Sequence, residues 1–235
     1  MNTSTFDSIA HYIAMAQAVA RMTFAQVYLW DNVNRKFLYF ASNKTLLGGR
    51  SAQYIMSAGM DELVEMIPPE DLEHLRNVAA SFEANYHRIP QEWRSEVVVY
   101  LNFYIGRGKD AVLVSHKISW LEIDENGRPG IIFGIATPSV HRKERHVFVK
   151  IEGPDIWRYF NPETKQWEDT HRIRVTGEER QMLRLSQSGH SSTDIARLMH
   201  KSTHTINFYR KSMFEKLGVT NISEAIAHAA HYGLL

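Results

Sequence analysis

The last sixty residues, from Val175 to Leu235, carry start and stop signals for four short helices, spaced so closely that they dictate a compact helical module. The first backbone N–H groups of a helix have no internal acceptor, and short polar side chains supply one. Thr176 with Glu179, Ser191 with Asp194 and Asn221 with Glu224 each set a capping oxygen three residues ahead of a carboxylate, which predicts three reciprocal boxes. Ser202 is expected to cap the remaining helix. Gly189, Gly218 and Gly233 follow the last periodic apolar residues, where a left-handed backbone ends a helix at low steric cost. Only His200, Lys201 and Ser202 separate the second helix from the third, and a link that short holds two helices at a steep angle.

On a wheel of 3.6 residues per turn, Ile206, Met213 and Leu217 of the third helix share a stripe suited to packing. His204, Phe208, Lys211 and Glu215 lie opposite, with Asn207 at their edge. A Phe turned outward beside Asn and Lys suits the reading of double-stranded DNA: the ring meets a thymine methyl while amide and ammonium address base edges. Lys201, His204 and Arg210 are placed to reach phosphates, contacts that orient a protein without selecting sequence and weaken with salt. The charge agrees in sign: residues 171 to 235 hold nine Lys or Arg against five Asp or Glu, leaving 18 against 21 for the rest.

The ordered series Val175-Thr176, Glu179-Arg180, Leu183, Gly189, Asp194-Ile195-Ala196, Leu198, Ser202, Thr205-Ile206, Lys216-Leu217-Gly218-Val219, Glu224-Ala225 and Gly233-Leu234-Leu235 resembles the LuxR (GerE-like) DNA-binding domain of bacterial transcription regulators. The resemblance implies an all-α four-helix helix-turn-helix domain over residues 173 to 235, whose helix from Thr205 to Leu217 enters the major groove. By it, Asn207, Phe208 and Lys211 stand at base-reading positions, and Lys201, His204, Thr205 and Arg210 serve the phosphates. The final helix is expected to pair two protomers into a homodimer through Ile222, Ala225, Ile226 and Ala229. Asn207, Tyr209 and Ser212 stand where the family usually has a basic residue, a His and an Asn, and Glu178 replaces a common Arg, so the target sequence does not carry over. RNA polymerase is a further partner to consider. A competing reading has the module dock on polymerase or a sigma factor in place of DNA.

A chain of 235 residues with 44% hydrophobic residues is long enough for two domains with ordinary cores. The lack of cysteine excludes disulfides, thiolate catalysis and cysteine-held metals. Neither a signal peptide nor a membrane span is expected, which places the protein in the cytoplasm. There is no phosphate-cradling glycine loop, no metal-spaced set of ligands and no nucleophile elbow, so no enzyme, catalytic residue, metal or cofactor is expected. His74 and His87 stand in no recognisable haem motif. Gly106-Arg107-Gly108-Lys109 reads as a solvated turn between strands.

Ahead of the helical tail, Phe6, Ile9, Ile13, Ala16 and Ala20 form one face of an opening helix over residues 1 to 22. Val27 to Trp30 and Phe37 to Phe40 read as a hairpin about Asp31-Asn32-Val33-Asn34, and helices broken at Pro68-Pro69 fill Ser51 to Tyr86. Alternation then predicts strands with Val97, Val99, Leu101, Phe103 and Ile105 on one face, and Val112, Val114, His116, Ile118 and Trp120 on one face. Asn126-Gly127 turns the chain into Ile131 to Ala136. The expected fold class is thus α+β, a five-stranded antiparallel sheet with helices over one side, spanning residues 23 to 145. This order, with Ile67-Pro68-Pro69-Glu70-Asp71-Leu72-Glu73-His74-Leu75, resembles a PAS sensor domain, which implies a concavity that takes a small-molecule ligand or a partner. Trp30, Phe103, His116 and Trp120 are its candidate pocket residues; His116 interrupts an apolar face and reads either as a polar handle or as a satisfied core histidine. Residues 146 to 172 are expected to add a β-hairpin and linker, whose Trp157, Tyr159 and Trp167 form an aromatic patch between domains or protomers, or extend the sheet.

Overall fold

The computed structural model describes residues 3–41, 46–139, 147–170, 174–231 and 233–235. Its described residues divide into two units, one running up to residue 170 and the other starting at 174.

The first unit opens with helix α1 (Thr3–Thr23) and a hairpin of β1 (Gln26–Asp31) and β2 (Lys36–Phe40). The Asp31 carboxylate builds the hairpin turn by accepting hydrogen bonds from the backbone of Val33 and Asn34 at 3.1 and 2.8 Å. Helices α2 (Ala52–Ala58), α3 (Met60–Glu65) and α4 (Pro69–Tyr86) follow. Gly59, at φ +84°, ends α2 and starts α3, while Pro69 opens α4, where a missing N–H costs nothing. Then come β3 (Val97–Ile105), β4 (Val112–Ile123), β5 (Pro129–Pro138), β6 (Val147–Ile151), β7 (Ile156–Asn161) and β8 (Gln166–Thr170).

All eight described strands join one antiparallel sheet in the order β2-β1-β5-β4-β3-β6-β7-β8. The five expected strands are its first five in space, and the sheet is wider than predicted. Residues 147 to 170, expected as a hairpin and linker, pair β6 onto the free edge of β3 and continue the sheet through β7 and β8. Trp157, Tyr159 and Trp167 do not form one patch. Successive strand residues point to opposite faces, so Trp167 lies opposite Phe160 on one face, while Trp157 stacks on Tyr100 and Tyr159 meets Phe148 on the other.

Helices cover both faces of this sheet, not one. α1 lays Ile9, Tyr12, Ile13, Ala16 and Ala20 against Val27, Leu29 and Ile131, burying Ala16 completely. Phe6 has no described side chain. The opposite face, bearing Val99, Leu101 and Phe103, turns toward α3 and α4.

The second unit consists of α5 (Gly177–Gln187), α6 (Ser192–Leu198), α7 (Thr203–Leu217) and α8 (Ile222–His231). Met182, Leu183, Ile195, Ile206, Met213, Ala225 and Ala229 fill its core with almost no exposure. Of the three predicted reciprocal boxes, Thr176–Glu179 closes in both directions. Ser191 and Asn221 accept the expected backbone N–H groups, but the hydroxyl of Ser191 bonds Asp194 directly, and Glu224 turns to the backbone and hydroxyl of Thr220.

The turn between α6 and α7 places His200 at φ +52°, with Lys201 N donating to Ala196 O at 2.9 Å across it. This is the helix end where glycine is ordinarily found, and a side chain there costs on the order of 1 kcal/mol. His200→Gly is therefore expected to stabilise this unit by about 0.5 kcal/mol after the added freedom of the unfolded chain is counted, measured by urea unfolding followed by helical circular dichroism.

Candidate functional site

Each unit carries a candidate site. In the second, the packing of α7 decides which residues are left to act. Ile206 and Met213 are fully buried and Leu217 nearly so, and the Ser202 hydroxyl caps the helix by accepting Thr205 N at 3.1 Å. At its other end, Gly218 takes the left-handed conformation and Val219 N closes onto Phe214 O. With one stripe fixed inward, Asn207, Phe208 and Lys211 stand outward together, and Phe208 keeps 64% of its surface exposed. The ring lies outside the buried core of its unit and meets only the Tyr209 ring, at 6.2 Å between centroids, among the ring contacts described. Lys211 lies 3.8 Å from Glu215, one turn along, and two such exposed charges hold each other weakly.

Lys201 and His204 are exposed at the N-terminal end of α7, where backbone N–H groups and the helix dipole also favour an anion. Thr205 is half-buried, and its hydroxyl meets that of Ser202 at 2.9 Å. Arg210 departs from expectation: its guanidinium donates to Ser192 Oγ at 2.7 Å, and its Nε is buried without a described partner. Arg210 thus ties α7 to the first turn of α6, and it is not a free arm toward phosphate. Ser192, not anticipated from the sequence, is its partner; their separation of eighteen residues leaves no local signal.

The four residues assigned to dimer pairing divide. Ala225 and Ala229 have no exposed surface and belong to the core, which removes them from any outward contact, while Ile222 and Ile226 are half-buried at its margin. In a helix of small residues the wheel does not mark which alanines face in, because alanine suits either side.

Beneath α7 lies an anchor that residue type alone did not reveal. Glu179, on α5 and 3% exposed, accepts two hydrogen bonds from Lys216 Nζ at 2.7 Å, one from Ser212 Oγ at 2.7 Å and one from Thr176 N at 2.8 Å. Burial pushes the carboxyl up, but the hydrogen bonds from Lys216, Thr176 and Ser212 outweigh it and hold Glu179 below the usual glutamate range. Its capping role was legible; its second role, joining α5 to α7, was not.

In the first unit a cavity of about 400 Å³ opens between the sheet and helices α3 and α4. Trp30, Phe103, His116 and Trp120, the four expected pocket residues, all line it. Leu75, Val78 and Phe82 of α4 face them, and Trp167 closes one side from β8. No Asp, Glu, Lys or Arg is among the described lining residues.

Beside Gln26, whose amide donates to Ala41 O at 2.6 Å, and the indoles of Trp30, Trp120 and Trp167, the lining carries one polar pair. Tyr28 on β1 reaches across β5, and its hydroxyl sits 3.0 Å from His116 Nε2 on β4. The crossing is possible because residue 134, the register partner of Tyr28 and two residues from the Ala136 that pairs with His116, is glycine: a Cβ there would collide with the Tyr28 ring. Burial lowers the His116 pKa to about 4, so the imidazole is neutral at pH 7, and burial likewise raises that of Tyr28. Tyr28 was missed from the sequence, although it stands two residues before Trp30 and hence on the same strand face. Among the described residues there is no group of three or more His, Cys, Asp or Glu able to hold a metal ion, and His74 packs edge-on against Phe160. Nor is any described helix long and apolar enough to cross a membrane.

Residues 175–229 match the model of the family described as bacterial regulatory proteins, luxR family. No curated protein matches the chain. Among solved structures, the transcription factor GerE is 28% identical over 27% of this chain and 92% of its own, with a TM-score of 0.26. VqmA of Vibrio cholerae is 16% identical, covering 92% of this chain and 87% of its own at a TM-score of 0.28. SdiA of Escherichia coli is 14% identical, covering 100% and 92% at a TM-score of 0.29.

Proposed function

We propose that this chain is a sequence-specific DNA-binding transcription regulator, in which a PAS-like N-terminal sensor governs a LuxR-type reader. The observation that carries the reading is the outward stripe of α7: a largely exposed Phe208 flanked by Asn207 and Lys211, on a helix whose opposite stripe is fixed in the core. An amide, a ring and an ammonium on successive outward positions match the hydrogen-bonding and methyl groups of the major groove. The sensor reading is supported by the strand order β2-β1-β5-β4-β3, by the helices inserted between β2 and β3, and by the cavity they enclose. The protein acts as a homodimer, so that two recognition helices meet successive half-sites, and ligand binding shifts the balance between competent and incompetent arrangements.

Selection of duplexes from a random pool by the full-length protein tests this. The expected product is a two-fold symmetric site with half-sites about one helical turn apart. On that site Lys201→Ala is expected to weaken selected and scrambled duplexes alike and to lower the slope of log affinity against log salt by about one. A pool from which nothing is enriched would favour docking on another protein.

A further inference from the structure

We propose that the N-terminal cavity takes a neutral, mostly apolar small molecule bearing one hydroxyl group, and that the Tyr28–His116 pair recognises that hydroxyl. The inference rests on the sensor reading of this unit. It starts from what the cavity wall contains. With no ionic side chain among its described lining residues, the cavity offers no countercharge to offset the dehydration of a charged ligand. Trp30, Trp120, Phe103 and Phe82 supply flat apolar walls, and about 400 Å³ is ample for two fused rings.

The Tyr28–His116 contact then sets the polar requirement. If the imidazole carries its proton on Nδ1, the Tyr28 O–H donates to Nε2 and leaves the phenolic oxygen as an acceptor. In the other tautomer, Nε2–H donates to the phenolic oxygen and the Tyr28 proton is left to give away. The pair therefore presents either an acceptor or a donor on a mostly apolar wall, in which Gln26 is held by Ala41 O and the indoles of Trp120 and Trp167 can only donate. A hydroxyl, which both donates and accepts, is served by both tautomers. Gly134 is the specificity-determining gap, because it leaves the room across which the Tyr28 ring reaches His116.

Calorimetric titration of the full-length protein at pH 7 with 2-naphthol, naphthalene and 2-naphthoate distinguishes this from a featureless void. In a merely apolar cavity naphthalene binds more tightly than 2-naphthol, since the hydroxyl must be stripped of water with nothing in return. The expected result is the reverse, with 2-naphthol about tenfold tighter than naphthalene. The anion 2-naphthoate is expected to bind at least about a hundredfold more weakly than 2-naphthol. Tyr28→Phe, which removes a single oxygen, is expected to invert the order of 2-naphthol and naphthalene. Gly134→Ala, which displaces the ring without altering either partner, is expected to invert it as well. Melting curves of the unliganded variants identify any that fail to fold. Preference for naphthalene in the native protein, or an unchanged preference in a folded Tyr28→Phe variant, would overturn the assignment of the pair and leave the sensor reading standing. If none of the three compounds binds, both fall together.

Discussion

Glu179→Ala is expected to cost the C-terminal unit about 3 kcal/mol, enough to leave a domain of some sixty residues largely unfolded at 37 °C. The magnitude follows from what the carboxylate holds. Removing it strands the Lys216 ammonium, which at 34% side-chain exposure recovers only part of its hydration, and leaves Thr176 N and Ser212 Oγ without their acceptor. The value is taken at the lower end of the range for a broken buried ion pair because that lysine reaches solvent. Glu179→Gln is expected to cost less, since the amide oxygen keeps one acceptor. The same carboxylate fixes a pH dependence. Its folded-state pKa lies below the unfolded value, so its contribution is fully present above the ordinary glutamate pKa and is lost as the pH falls through the folded value. Acid titration followed by helical circular dichroism should accordingly show a loss of stability at low pH that is smaller in Glu179→Gln.

The second large effect concerns binding. Phe208→Ala and Lys211→Ala are each expected to weaken the selected duplex by about tenfold or more, with little change on scrambled DNA, in a gel-shift titration at fixed salt. Neither should disturb folding, because both side chains are exposed and outside the core. Arg210→Ala should behave differently. By freeing Ser192 and the junction of α6 with α7, it is expected to lower thermal stability as well as affinity.

What the sequence disclosed divides along a physical line. Helix ends were legible because capping is a matter of three or four consecutive residues: Thr176, Ser191, Ser202 and Asn221 all accept the predicted N–H groups. Strand faces were legible for the same reason, since alternation puts Phe103, His116 and Trp120 on the side that lines the cavity. Pairings between distant segments left no such trace. Nothing local says that β6 joins β3, and a hairpin with Trp157 and Trp167 reads equally well as linker or as sheet. The carboxylates of Asp194 and Glu224 sit at box positions, yet Asp194 takes the Ser191 hydroxyl and Glu224 the backbone and hydroxyl of Thr220, which spacing alone does not foretell. The inward turn of Ala225 and Ala229 and the placement of α1 on the sheet face opposite α3 and α4 likewise follow from packing, which no single periodicity encodes.

Base reading by α7 is the proposal from which these binding effects follow. It is tested most directly by the ratio of affinities for the selected and a scrambled duplex, measured at one salt concentration for the native protein and for the Phe208→Ala, Lys211→Ala double variant. The ratio is expected to be at least about a thousand for the native protein and to fall by at least about a hundredfold in the double variant, with scrambled binding nearly unchanged. A double variant that keeps the native ratio would contradict it.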